Sequence, residues 1–408
     1  MSTQSRAERP RAESLFRNRN FALLWFGSSV SLLGDGVFQL ALMWWVLEET
    51  GSIAAMATVS ICATLPMVLL GMPAGSYVDR LDRRRLMISA DVFRAALMFL
   101  AALLLARGQL QLWHIYLGAA LSSAATAFFN PAFQAVLPNV VEKEELTRAN
   151  SLLQTSVYGS NILGPIIGGI VVGLLGTAGA MILDAVSYVI SGLAILLASF
   201  PAVAAGGRGE AVLASTLEGL RYIGSSPVLL GMISLACLLN FVVAPAGFLL
   251  PVMARDYLAL GPEGYGLLAG ILSAGMLAGA IALGVKGKFK SRSLGIMAGL
   301  IIIGIGFAAF GLSRMMVLAG ASLFAAGTGF AVTNILFSTV VQERVPDDRR
   351  GRVFGAIGAV AMGLRPVALA VVGVVADSFG APTVIVVSGL SFVVASAAMR
   401  VVPALRDI

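Results

Sequence analysis

The sequence predicts an all-α membrane protein of twelve transmembrane helices, arranged as two pseudo-symmetric six-helix bundles. Three observations carry that expectation. Of 408 residues, 58% are hydrophobic and 12% charged, about half the charged share of a soluble domain, so water cannot be the solvent on all sides. The apolar residues gather into runs long enough to cross a bilayer, about 20 residues each. The basic residues fall in alternate gaps between those runs.

The runs, in order, are 21–47, 52–77, 86–107, 112–137, 148–175, 178–200, 228–254, 264–285, 293–312, 315–341, 352–376 and 381–402. Before them, residues 1–20 are polar and carry Arg6, Arg9, Arg11, Arg17 and Arg19. The apolar run that follows is too long for a cleaved signal peptide, so this segment is expected to be a cytoplasmic tail. The longest gap, Pro201 to Pro227, divides the spans six and six. Its start is flexible in composition, and 211–225 is mildly amphipathic, suited to lying on the membrane surface. The organisation is thus an N-terminal bundle over 21–200, a cytoplasmic linker over 201–227, a C-terminal bundle over 228–402 and a tail over 403–408.

Orientation follows from Lys and Arg. With the N-terminal tail inside, 23 of the 28 basic residues fall on the inner side. Only Arg107, Arg255 and Arg314 fall outside, while Arg94 and Arg365 lie within spans. So lopsided a split places both termini in the cytoplasm. It also accounts for the net charge of +7 without a nucleic-acid partner. The halves echo each other at an offset of 204, which maps Gly75 to Gly279, Asn130 to Asn334, Phe133 to Phe337 and Arg148 to Arg352. Parallel six-helix repeats are a common transporter plan.

Cys62 and Cys237 each sit inside an apolar run, and His114 is the single histidine. No metal-ligand spacing, phosphate loop or nucleophile motif is present, so neither metal, cofactor nor enzyme chemistry is expected.

The gap after the second span reads Gly75-Ser-Tyr-Val-Asp79-Arg80-Leu-Asp82-Arg83-Arg84-Arg85. A positive-inside anchor explains its arginines but not Gly75 and Asp79 at this spacing. The stretch resembles the loop motif of the major facilitator superfamily, G-x-L-a-D-R-x-G-R-[RK], with Asp82 in place of the usual glycine and within reach of the arginines. A charge cluster at the membrane edge can pair in one conformation and break in another, and the resemblance makes Gly75, Asp79, Arg80, Arg83 and Arg84 gating residues. The fifth span carries Gly159-Ser-Asn-Ile-Leu-Gly164-Pro165-Ile-Ile-Gly168-Gly169, similar to the superfamily's antiporter motif. Small residues let a neighbouring helix approach closely, and proline frees a carbonyl and permits a bend. In the superfamily this motif accompanies proton-coupled export.

Phe129-Asn130-Pro131-Ala132, the segment from Leu146 to Leu152 and the segment from Val345 to Val353 resemble the branch that holds macrolide efflux and siderophore exporters, with lysophospholipid transporters as relatives. The resemblance implies the major facilitator fold, a bacterial inner-membrane location, a monomer, and small amphipathic or lipophilic substrates. The fourth span lacks the arginine that many drug antiporters carry, so no mechanism resting on that residue transfers.

Polar side chains inside a membrane are costly and need a partner or a use. On the first span Ser28, Ser31, Asp35 and Gln39 share a face, as do Ser122, Thr126, Asn130 and Gln134 on the fourth and Gln154, Tyr158, Asn161 and Pro165 on the fifth. The second half has thinner stripes, Ser234 and Asn240, then Asn334 and Ser338. Spacing shows only that these faces avoid lipid. By resemblance, spans 1, 4, 7 and 10 line the central cavity, which makes Ser31, Gln39, Thr126, Asn130, Gln134, Tyr158, Asn161, Asn240, Asn334 and Ser338 its candidate lining.

Asp35, far from either end of its span, is the sharpest candidate for proton coupling; the alternative is a structural carboxylate locked to a partner such as Arg365. Asp184 and Arg365 are weaker candidates for the same role. Asp91 and Arg94, three residues apart on the third span, are placed to satisfy each other. The function expected is a proton-coupled exporter of hydrophobic or amphipathic small molecules. The alternatives are a lysophospholipid or other amphiphile flippase and a siderophore exporter.

Overall fold

A computed structural model describes residues 13–78, 81–199, 221–224, 227–286 and 291–401. Asp79 and Arg80, most of the linker, the outer part of the N-terminal tail and the predicted tail 403–408 lie outside the described residues. The chain is all-α. Its long helices are α1 (Arg19–Thr50), α2 (Ile53–Val78), α3 (Arg83–Ala106), α4 (Leu112–Val140), α5 (Leu146–Leu197), α6 (Pro227–Phe248), α7 (Pro262–Lys286), α8 (Arg292–Leu312), α9 (Met316–Arg344), α10 (Asp347–Phe379) and α11 (Ala381–Val401). Ten helical stretches among the described residues are long and apolar enough to cross a membrane. Their outer faces are studded with exposed leucine, valine and phenylalanine, including Leu174, Val285 and Val317, a surface that only lipid suits.

The spans expected at 148–175 and 178–200 are two arms of α5, broken at Gly176, whose φ of 69° and ψ of 178° no ordinary residue adopts readily. The matching break in the second half is Gly380, with φ 81°, between α10 and α11. These glycines stand 204 residues apart, at the sequence's own offset. The span expected at 228–254 is α6 followed by a short helix, Leu250–Val252, and a wide π-helical turn, Met253–Tyr257.

Caps fix several helix ends. Asn18 accepts from the amides of Asn20 and Phe21 at 3.1 and 3.2 Å and starts α1, while its amide group donates to the Val140 carbonyl at the end of α4 at 2.6 Å. Gly51, at φ 62°, closes α1. Asp82 accepts from the Arg85 amide at 3.1 Å and starts α3, and it also pairs with the Arg85 side chain at 3.4 Å. That is why the loop carries Asp82 in place of glycine without losing its turn: the carboxylate caps the helix that follows.

In the first half, α1 lies in the notch between the two arms of α5. Gly27 and Gly34 meet the second arm at Ser191 and Ser187, and Gly36 meets Gly164 on the first arm. Helix α3 packs on α4 and α5, and α2 on α4. In the second half, α8 packs on α9 and α11, and α7 on α9. The halves meet along two crossings, α5 with α7 and α2 with α10. Each is built on a glycine. A Cβ on Gly169 would stand 2.6 Å from the Pro262 carbonyl oxygen, and one on Gly373 would stand 2.8 Å from the Ala57 Cβ. These two glycines are also 204 residues apart.

Candidate functional site

The antiporter-like stretch works on both sides of the first arm of α5. Gly164 and Gly168 face α1, with Gly164 against Gly36 and Gly168 against Val37. Gly169 faces α7 instead. Pro165 has no amide to offer the Asn161 carbonyl, which therefore lacks its helical donor. Ser273 of α7 offers one: its hydroxyl lies 3.1 Å from the Asn161 oxygen and shares its proton with the Ala269 carbonyl of its own helix, also at 3.1 Å. The broken backbone bond of one half is thus repaired by a side chain of the other.

Further contacts between the halves cluster at the end of the bundle remote from the chain termini. Asp377 of α10 accepts from the Ile53 amide at the start of α2, at 3.2 Å. The Arg255 guanidinium donates to the Leu47 carbonyl and pairs with Asp256 at 2.6 Å. Trp44 and Tyr265 stack with ring centroids 6.2 Å apart. At the opposite end, Arg83 and Arg84 tie the α2–α3 loop to carbonyls within one half, Arg83 to Ala135 at 3.3 Å and Arg84 to Leu196.

The charged centre lies inside the first half, where α1, α3, α4 and the second arm of α5 converge. Arg94 and Asp91 form an ion pair at 4% and 0% exposure. The Arg94 guanidinium lies between two rings, 4.3 Å from the Tyr188 centroid and 4.7 Å from that of Phe129, an arrangement that favours a cation. It also reaches Thr126 Oγ1 at 3.4 Å. Asp35 accepts from the Tyr188 hydroxyl. Asp184 is fully buried; Ser187 donates to its carbonyl at 2.7 Å and to its Oδ1 at 3.3 Å. Glycine at position 34 makes this possible, since a Cβ there would stand 2.7 Å from Asp184 Oδ1. Three carboxylates and one guanidinium therefore share one site, in which Asp91, Asp184 and Arg94 are buried and Asp35 is half-buried. Asp91 Oδ2, Asp184 Oδ2 and Arg94 Nε have no hydrogen-bond partner.

Of the expected site residues, Asp35, Asp91, Arg94, Asp184 and Thr126 come together here. Ser31 is 7% exposed and shares a face with Gly27 and Gly34, turned toward the second arm of α5. Gln39, Gln134, Tyr158, Asn161, Asn240 and Asn334 are exposed, and Asn130 and Ser338 are half-buried. Arg365 is exposed on α10 and forms no ion pair with Asp35. Tyr188, Phe129 and Ser273 were not singled out by sequence for these contacts. The spacing of Asp184, Tyr188 and Ser191 puts them on one helix face, but nothing in it names α1 as the facing helix.

An all-α bundle of this plan, with two halves joined at glycine crossings and a cluster of charged groups inside the first, is a transporter of the major facilitator superfamily. More narrowly, the chain belongs to the transmembrane secretion effector family, matched over residues 12–407. It is 26% identical to macrolide efflux protein A of Streptococcus pyogenes over 369 residues, covering 88% of this chain and 90% of that one. It is 27% identical to the multidrug efflux pump Tap of Mycolicibacterium fortuitum over 396 residues, covering 95% and 96%. Among solved structures, a bacterial homologue of the human lysosomal transporter Spinster, in an inward-facing and occupied conformation, shares the fold. Its TM-score is 0.75 at 14% identity, covering 97% of this chain and 98% of that one.

Proposed function

We propose that this protein is a secondary exporter of the bacterial inner membrane, with both termini in the cytoplasm. It moves hydrophobic or amphipathic small molecules outward in exchange for protons by alternating access of its two halves. Its relatives, named as macrolide and multidrug efflux proteins, support the direction and the substrate class. The observation that carries the proton coupling is the environment of Asp35. Arg94 is committed to Asp91, and Asp35 is held by the Tyr188 hydroxyl instead of by a cation. Asp35 is left free to exchange a proton while Tyr188 keeps its carboxyl in place. Gln39, Thr126, Asn130, Gln134, Tyr158, Asn161, Asn240, Asn334 and Ser338 supply the polar contacts of a cavity that is otherwise apolar. The transporter works as a monomer in lipid.

The test is substrate-triggered proton release from the purified protein across a panel of amphiphiles, comparing wild type with Asp35→Asn. Release by the wild type that disappears in the variant is the expected result. Release of equal size in both would remove Asp35 from the coupling. Export that proceeds without any proton release would instead favour an uncoupled amphiphile flippase.

A further inference from the structure

The charged centre holds more acid than base. Asp35 comes from α1, Asp91 from α3 and Asp184 from the second arm of α5, and Arg94 is the only cation among the described groups that face them. Tyr188 is the remaining titratable group there, and α4 contributes Thr126, which is neutral. With all three carboxylates ionised, the site would carry two uncompensated negative charges away from water, a costly arrangement. Electroneutrality requires two protons. The compensation is unevenly shared: Asp91 has the Arg94 ion pair and Asp35 has the Tyr188 hydroxyl. Asp184 receives only the Ser187 hydroxyl at 3.3 Å, and its Oδ2 is buried without a partner.

The second half of the sequence has no counterpart of these charges. At the offset of 204 that matches Gly176 to Gly380 and Gly169 to Gly373, the positions of Asp35, Asp91, Arg94 and Asp184 are held by Leu239, Gly295, Ala298 and Ser388.

We infer that Asp35, Asp91 and Asp184 form one proton-binding unit around Arg94, that the unit holds two protons when neutral, and that Asp184 keeps the second of them. Because the carboxylates lie within one another's field, protons leave the unit in steps that belong to the group and not to a single residue. Asp184 thereby sets how many protons the transporter carries, and Arg94, pinned between two rings, holds the acids together. This rests on the reading that protons drive export, but its test does not depend on transport.

The experiment is infrared difference spectroscopy of the purified protein in lipid nanodiscs, titrated from acid to alkaline pH, reading the stretch of protonated carboxyls in a dry environment. The wild type is expected to lose the signal of two such groups. Asp184→Asn, which keeps the side-chain shape, is expected to lose one of them, and Asp35→Asn the other. In each variant the surviving group should titrate at a different pH from the wild type, because a neighbouring charge is gone. Where Asp184→Asn fails to fold, Ser187→Ala gives a second reading, since it removes the one hydroxyl donated to the Asp184 carboxyl and leaves every acid in place. A carboxyl signal unchanged in size and pH in Asp184→Asn, or in Ser187→Ala, would overturn the inference. Failure of Asp35→Asn to alter proton release would sink the proton-coupling reading by itself, whatever the spectrum shows.

Discussion

The glycines of the antiporter-like stretch should differ in what they control, although the sequence presents them as one motif. Gly164 packs on α1, inside the first half, where a Cβ would stand 2.9 Å from Gly36 Cα and 3.1 Å from its carbonyl carbon. Gly169 packs on α7, in the other half, where a Cβ would stand 2.6 Å from the Pro262 oxygen and 3.0 Å from Glu263 Cα. All of these are backbone atoms that cannot swing aside, so each alanine overpacks its contact at a cost of about 1–3 kcal/mol. In Gly164→Ala every folded conformation bears the cost, so thermal stability falls. In Gly169→Ala only conformations that keep this end closed bear it. The balance should therefore move toward the open end by roughly 5- to 150-fold, with a smaller loss of stability.

Spin labels at Gln109 and Met315, both exposed in loops at that end of the bundle, report the separation of the halves by double electron–electron resonance, with Cys62 and Cys237 replaced by serine. Gly169→Ala is expected to populate longer distances and Gly164→Ala to leave the distribution as it was. Identical distributions in parent and Gly169→Ala, with an equal fall in melting temperature for both variants, would show that the α5–α7 crossing does not open.

The same labels test two other contacts at the junction of the halves. Asp377→Ala removes the acceptor for the Ile53 amide and should cost about 1 kcal/mol, a roughly fivefold shift toward the open end. Ser273→Ala leaves the Asn161 carbonyl without a donor; a loss of about 0.6–1 kcal/mol is expected, while Ser273→Thr, which keeps the hydroxyl, should retain the parent distribution. Arg365 is exposed near the middle of α10 with no ion pair to Asp35. Export measured for a matched pair of anionic and cationic amphiphiles should fall for the anion and hold for the cation in Arg365→Gln, and an equal effect on both would remove Arg365 from substrate recognition.

Much of the architecture was legible because lipid imposes a simple code. Run length marked the helices, and the boundary between the runs 148–175 and 178–200 fell at the break between the arms of α5. The Asp91–Arg94 pair was legible because partners three residues apart on a helix must meet. What spacing could not reach was any contact between helices. Tyr188 lies 153 residues from Asp35, and the close approach that Gly27 and Gly34 permit brings their helices together. Ser273 was invisible for a similar reason: the lost donor at Asn161 follows from Pro165, but which residue replaces it depends on the crossing of the two halves. The motif glycines suggested one close helix contact, and the structure has two because successive glycines on a helix point 100° apart.

Pseudo-symmetry separates what the fold requires from what the activity requires. Glycines that recur at the offset of 204 serve the backbone: Gly176 and Gly380 turn the chain, and Gly169 and Gly373 let the halves touch. These are geometric demands, and both halves meet them alike. The buried charges do not recur. A charged group inside a membrane bundle is expensive wherever it stands, so charges present at four positions of one half and missing from the equivalent positions of the other point to a use beyond the fold. The asymmetry also suits a rocking mechanism. On the proposed reading, protons bind within the first half, at the seam between α1 and the second arm of α5, while the first arm carries the crossing to α7. Because both arms grip α1, a change of charge at Asp35 and Asp184 alters the seating of α1 against the helix that joins the two halves. That is a mechanical route from a proton to the opening of the bundle, and it needs no residue of the second half to be charged.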